Sequence, residues 1–92
     1  SRDPQPAKTA RTVVQVNFDG GFFRSEAGGG WVEASGIRWV EVSRDEDTIL
    51  LKDDSRNAQA RFELSEGWIY LYFPDWGEFK RQWPISSAIQ EQ

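Results

Sequence analysis

Apolar residues in this chain alternate with polar ones in short runs, and Gly, Asp and Ser clusters cut the runs every eight to twelve residues. No apolar period of 3.6 residues lasts longer than two helical turns. A chain patterned in this way cannot bury one face of a long helix, but it can bury one face of many short strands. The pattern therefore predicts an all-β fold of about eight short strands.

Thr12–Asp19 opens the series, with Val14, Val16 and Phe18 expected on one face and Val13, Gln15 and Asn17 on the other. Phe22–Ser25, Trp31–Ala34, Ile37–Arg44 and Thr48–Lys52 follow. Ala58–Leu64 puts Ala60, Phe62 and Leu64 inward. Trp68–Phe73 and Phe79–Trp83 complete the set, with Pro84 expected to close it. Three consecutive glycines at 28–30 demand a turn, because glycine takes positive φ without steric cost. Ser35-Gly36 suits a hairpin, and Pro74–Gly77 reads as a turn from its residue types. Short connections favour antiparallel neighbours. The expected product is a small antiparallel meander forming a barrel or a two-sheet sandwich. The domain is expected over residues 12–85. A polar arm or linker (1–11, with two prolines) should precede it, and a frayed tail or short helical turn (86–92) should follow.

A domain of 92 residues buries only about two-thirds of its unfolded surface, so its core is thin. Five Trp, six Phe and two Tyr compensate, each burying roughly 150–250 Å². Of the tryptophans, Trp31, Trp39 and Trp83 sit among apolar neighbours and are assigned mainly to the core. The chain has no Cys, Met or His. That removes disulfides, thiolate chemistry and the commonest general base and metal ligand, while leaving the compartment open. The absence of Met at position 1 reads as processing or excision from a longer chain. Net charge is −4, with basic residues scattered among acids, so no positive field for nucleic acid or an anionic membrane is expected. No apolar run approaches the ~20 residues of a membrane helix.

Two acidic clusters, Asp45–Asp47 and Asp53/Asp54/Asn57, raise a calcium reading. Calcium takes six to eight converging oxygens. A strand of ~20 Å separates these clusters, so they are read as turn-forming residues and no metal or other cofactor is expected. Arg56 is expected to clamp Asp53 or Asp75, with a ligand role for Arg56 and Asn57 as the alternative. Glu33 and Glu41 flank the Ser35-Gly36 hairpin and raise the paired-carboxylate chemistry of glycoside hydrolysis. So small a domain leaves little room for a cleft, and an enzyme is not expected.

The segment Trp68–Phe73 carries the functional expectation. Alternation places Ile69, Leu71 and Phe73 on one face and Trp68, Tyr70 and Tyr72 on the other. Such a row is a flat strip about 14 Å long. A tight turn at Ser65–Gly67 would set Gln59, Arg61 and Glu63 beside it. A planar apolar strip flanked by hydrogen-bonding groups suits a sugar ring, and Trp76, at a loop tip, is either a further stacking candidate or a lid folded back on the end of the barrel. The texture of glycine turns and Trp/Tyr strands without Cys is shared with small lectins and carbohydrate-binding modules, and equally with protein-binding β domains. The expectation is a non-catalytic, lectin-like binding module for carbohydrate. The alternatives are a protein-interaction or oligomerisation domain using the same surface, and an inhibitor presenting loop 74–77.

Overall fold

The computed structural model describes residues 13–90. Eight strands run in chain order: β1 (Val13–Phe18), β2 (Gly21–Glu26), β3 (Gly30–Glu33), β4 (Arg38–Arg44), β5 (Thr48–Asp53), β6 (Ala58–Glu63), β7 (Trp68–Tyr72) and β8 (Lys80–Gln90). Each pairs antiparallel with its predecessor, and β8 pairs back onto β1, closing a meander barrel. Closure removes most of the edges that would leave backbone donors and acceptors unpaired. The arm expected over 1–11 lies outside the described residues.

Side chains fill the interior. Phe62 stands between Phe23 (ring centroids 5.0 Å apart) and Trp31 (5.4 Å). Phe23 reaches on to Trp39, and Phe18 joins Phe23 to Trp83, on which it stacks at 4.4 Å. Val13, Val16, Ile49, Leu51, Ala58, Ala60, Ile69 and Leu71 pack around these rings. An eight-stranded barrel is just wide enough to be filled in this way. Turn chemistry follows residue type. Gly28 and Gly29 take φ of +88° and +90°, conformations that L side chains rarely adopt.

Bulges alter the expected faces. Val14 is an extra residue between the Val13–Gln90 and Gln15–Ile89 pairs, so Val13 and Val16 both point inward and Val14 does not share their face. Val42 is the extra residue in β4, which brings Glu41 and Arg44 to the same inner face. Gln82 is the extra residue in β8 opposite β7. Of the segment expected to fray or form a helical turn, 86–92, residues 91–92 lie outside the described residues and 86–90 are instead the second half of β8. Barrel closure requires a partner for β1, and these residues supply it; Pro84 does not end the strand.

Candidate functional site

The two-residue period through β7 is unbroken. Ile69 and Leu71 are buried, while Trp68, Tyr70 and Tyr72 are half-buried on the outer face. The register sets Gln59 opposite Tyr72, Arg61 opposite Tyr70 and Glu63 opposite Trp68. Six of the seven residues singled out from sequence are thus neighbours on one surface. Phe73 lies at the end of the inner row, half-buried against the core.

The other flank comes from β8. Arg81 lies opposite Tyr70 and Pro84 opposite Trp68. Tyr70 therefore stands between two guanidiniums. That of Arg61 lies 4.5 Å from its ring centroid and 4.6 Å from that of Phe79, so Arg61 bridges two rings. That of Arg81 lies 5.0 Å from the Trp68 ring and 6.0 Å from Tyr70. Phe79 packs on Tyr72 at 5.5 Å. The Tyr70 hydroxyl donates to Glu66 Oε1 (2.6 Å) and accepts from Arg81 Nε (3.1 Å). Arg61 Nε lies 2.8 Å from Glu63 Oε2, but off the N–H axis, so the two form an ion pair without an aligned hydrogen bond. Arg81, Phe79, Pro84 and Glu66 complete a face of which the sequence pattern shows only half. The bulge at Gln82 turns Arg81 outward and Trp83 inward, and strict alternation along β8 does not reveal it.

Trp76 does not join the row. Its ring meets Phe73 edge-on at 4.9 Å, and Lys80 Nζ lies 5.3 Å from its centroid. It folds back over one end of the barrel, because the turn bond from Trp76 N–H to the Phe73 carbonyl (2.9 Å) reverses the chain there.

Glu33 and Glu41 are not placed as a catalytic pair. Trp31 and Trp39 lie opposite one another in β3 and β4, and the two glutamates flank them at opposite ends. Glu33 N–H bonds the Ile37 carbonyl and Glu41 N–H bonds the Gly29 carbonyl, an offset of four positions, or ~13 Å along the strands. Paired glycosidase carboxyls stand about 5–10 Å apart. Each glutamate instead accepts a buried indole N–H: Glu41 from Trp31 (2.9 Å) and Glu33 from Trp39 (3.3 Å).

Both barrel ends carry a carboxylate–arginine lock. At one end Arg44 donates to both oxygens of Glu41 (2.7 and 3.2 Å), bonds the Val13 carbonyl (2.9 Å) and lies over the Trp31 ring. At the other, Asp53 accepts from Arg56 Nε (2.6 Å) and from the Ser55 hydroxyl and N–H, while Arg56 lies over Trp39 and Phe73. The expected Arg56–Asp53 clamp is therefore present. Asn57 takes a left-handed φ of +54° in the same turn. Asp45 caps its own turn by accepting from the N–H groups of Asp47 and Thr48.

These locks make stability acid-sensitive. Burial pushes Glu41 up, but the bonds from Arg44 and Trp31 and the Arg44 charge outweigh it and hold the carboxyl below its ordinary value. The Ser55 hydroxyl lowers Asp53 most; burial opposes this, and Arg56 adds to the lowering. A carboxylate depressed in the folded state stabilises above its unfolded pKa, and loses that contribution as pH falls through the folded value. Urea midpoints are expected to hold level above about pH 5 and fall below about pH 4. Glu41→Gln and Asp53→Asn should each shrink the acid decline and lower the neutral-pH midpoint.

No protein-family model matches this chain, and neither a curated protein nor a solved structure matches it.

Proposed function

We propose that this domain is a non-catalytic recognition module that binds a protein partner through the outer face of β6, β7 and β8. The observation that carries this reading is the central register row, Arg61–Tyr70–Arg81, bordered by Trp68, Tyr72 and Phe79. Tyr, Trp and Arg are the side chains that dominate binding hot spots. The cations of the face have acidic partners within it, Arg61 with Glu63 and Arg81 with Glu66 (3.7 Å). A partner covering the face would therefore bury paired ions and leave no lone charge.

Carbohydrate is the second reading. Gln59 and Glu63 border Tyr72 and Trp68 and offer hydrogen bonds to hydroxyls at both ends of the row. Against it, Arg61 and Arg81 already lie over the rings on which a sugar would stack.

Selection from a displayed random-peptide library, run beside a glycan panel read by Trp fluorescence, separates the two. Selected peptides are expected to lose roughly 30-fold or more in affinity to Tyr70→Ala, the hot-spot scale of about 2 kcal/mol. Val40→Ser, on the outer face of β4, should leave them unchanged. Glycan binding abolished by Trp68→Ala would reassign the face to carbohydrate. Binders indifferent to both Tyr70 and Trp68 would contradict the proposal.

A further inference from the structure

We infer that β8 pairs edge to edge with a second copy of this chain through residues 86–89. β7 covers only the first half of β8. Their pairing ends at Trp68–Pro84, followed by one bond from the Ile85 N–H to the Gly67 carbonyl (2.8 Å). Beyond that point β1 takes one edge, through Ser87–Asn17, Ala88–Val16 and Ile89–Gln15. Among the described residues no strand pairs with the opposite edge. Successive residues of an antiparallel strand turn their backbone groups to alternate sides, so that edge holds donors and acceptors suited to another strand. An open groove of about 320 Å³ separates it from the β6–β7 turn, lined in part by Val13, Leu64, Gly67, Ile85 and Ala88.

The side chains there are those of an unguarded edge. Sheet edges are ordinarily blunted by lysine, proline, a bulge or inward-pointing charge. Pro84 and Ser86, the extra residue between the Ile85–Phe18 and Ser87–Asn17 pairs, stand at the start of this edge, and Ser87–Ile89 beyond them has none of these guards. Residues 82–90 carry no charge, in a chain with 11 basic and 15 acidic residues. Ile89 is 47 % exposed. The Ser86 hydroxyl donates to the Asn17 carbonyl and the Ser87 hydroxyl accepts from Asn17 Nδ2, so both are held toward β1 and away from the edge.

The occupant is a second copy because the stretch is self-complementary. An antiparallel pair about a two-fold axis through Ala88 sets Ser86 opposite Gln90, Ser87 opposite Ile89 and Ala88 opposite itself. Only uncharged side chains then meet, and the interface is isologous and closes on itself.

Sedimentation equilibrium of the full chain tests this. The weight-average mass should rise with concentration from 10.6 kDa toward twice that value. Ile89→Lys and Ala88→Lys should each weaken association by at least about tenfold, while Trp68→Ala leaves it intact. In the unsubstituted chain, amide-exchange protection over 86–89 should grow with concentration, a readout independent of how the variants fold. A constant 10.6 kDa, protection that does not depend on concentration, or association that survives both lysines overturns the inference. So does association lost with Trp68→Ala, which would move the contact to the aromatic face.

Discussion

Phe62→Ala is expected to cost about 3–5 kcal/mol, among the largest losses at any single position of the barrel. Phe62 is fully buried and its ring contacts both Phe23 and Trp31, so truncation removes the centre of the aromatic chain. The surrounding strands are hydrogen-bonded on both sides, at Ile49 and Ile69, and cannot collapse into the void. Domains of this kind have only about 5–15 kcal/mol in total. Equilibrium urea unfolding should therefore show a much lower midpoint with an unchanged slope, or a chain largely unfolded before urea is added. Val40→Ala, at a position 53 % exposed, is the matched control and should change stability by less than about 1 kcal/mol. Equal losses at the two positions would mean that the interior is not packed around Phe62.

The second large effect is expected at Arg44. Arg44→Ala removes the two hydrogen bonds to Glu41, the one to the Val13 carbonyl and the cation over Trp31. It leaves a mostly buried carboxylate facing an indole N–H alone. Breaking a fully buried pair costs about 3–5 kcal/mol. The two side chains here are 20 % and 24 % exposed, and water screens part of that, so about 2–3 kcal/mol is expected. Adding Glu41→Gln to Arg44→Ala should recover part of the loss, because the amide still accepts from Trp31 and carries no stranded charge. A double-mutant cycle in denaturant reads the coupling. Strict additivity would mean that Glu41 and Arg44 do not act as a pair.

The sequence was most legible where strands are regular and partners are local. From β5 to β7 the register runs without a slip. Alternation therefore placed Ala60, Phe62, Ile69 and Leu71 inward, and Gln59, Arg61 and Glu63 beside Tyr72, Tyr70 and Trp68. It was least legible where one extra residue changes the face of everything after it. Val14, Val42 and Gln82 each do this, and a bulge is a property of two strands, invisible in the alternation of one. Arg81 was hidden for that reason. The strand character of 86–90 was hidden because Ser-Ser-Ala lacks an apolar alternation of its own, and its pairing with β1 spans almost the whole chain. For Trp76 the sequence leaves a projecting loop residue and a lid on the barrel end equally open; Phe73, set at the barrel end, gives its ring somewhere to lie and decides for the lid.

Recognition through this surface requires the β7 rings and the two guanidiniums beside them to meet the ligand while the inner tryptophans do not. Chemical-shift mapping with a library-selected peptide reads this directly. The Trp68 indole and the amides of Arg61, Tyr70, Tyr72 and Arg81 are expected to move, with the Trp31 and Trp39 indoles unchanged. Shifts confined to loop Pro74–Gly77, or to Val40 and Val42 on β4, would contradict it.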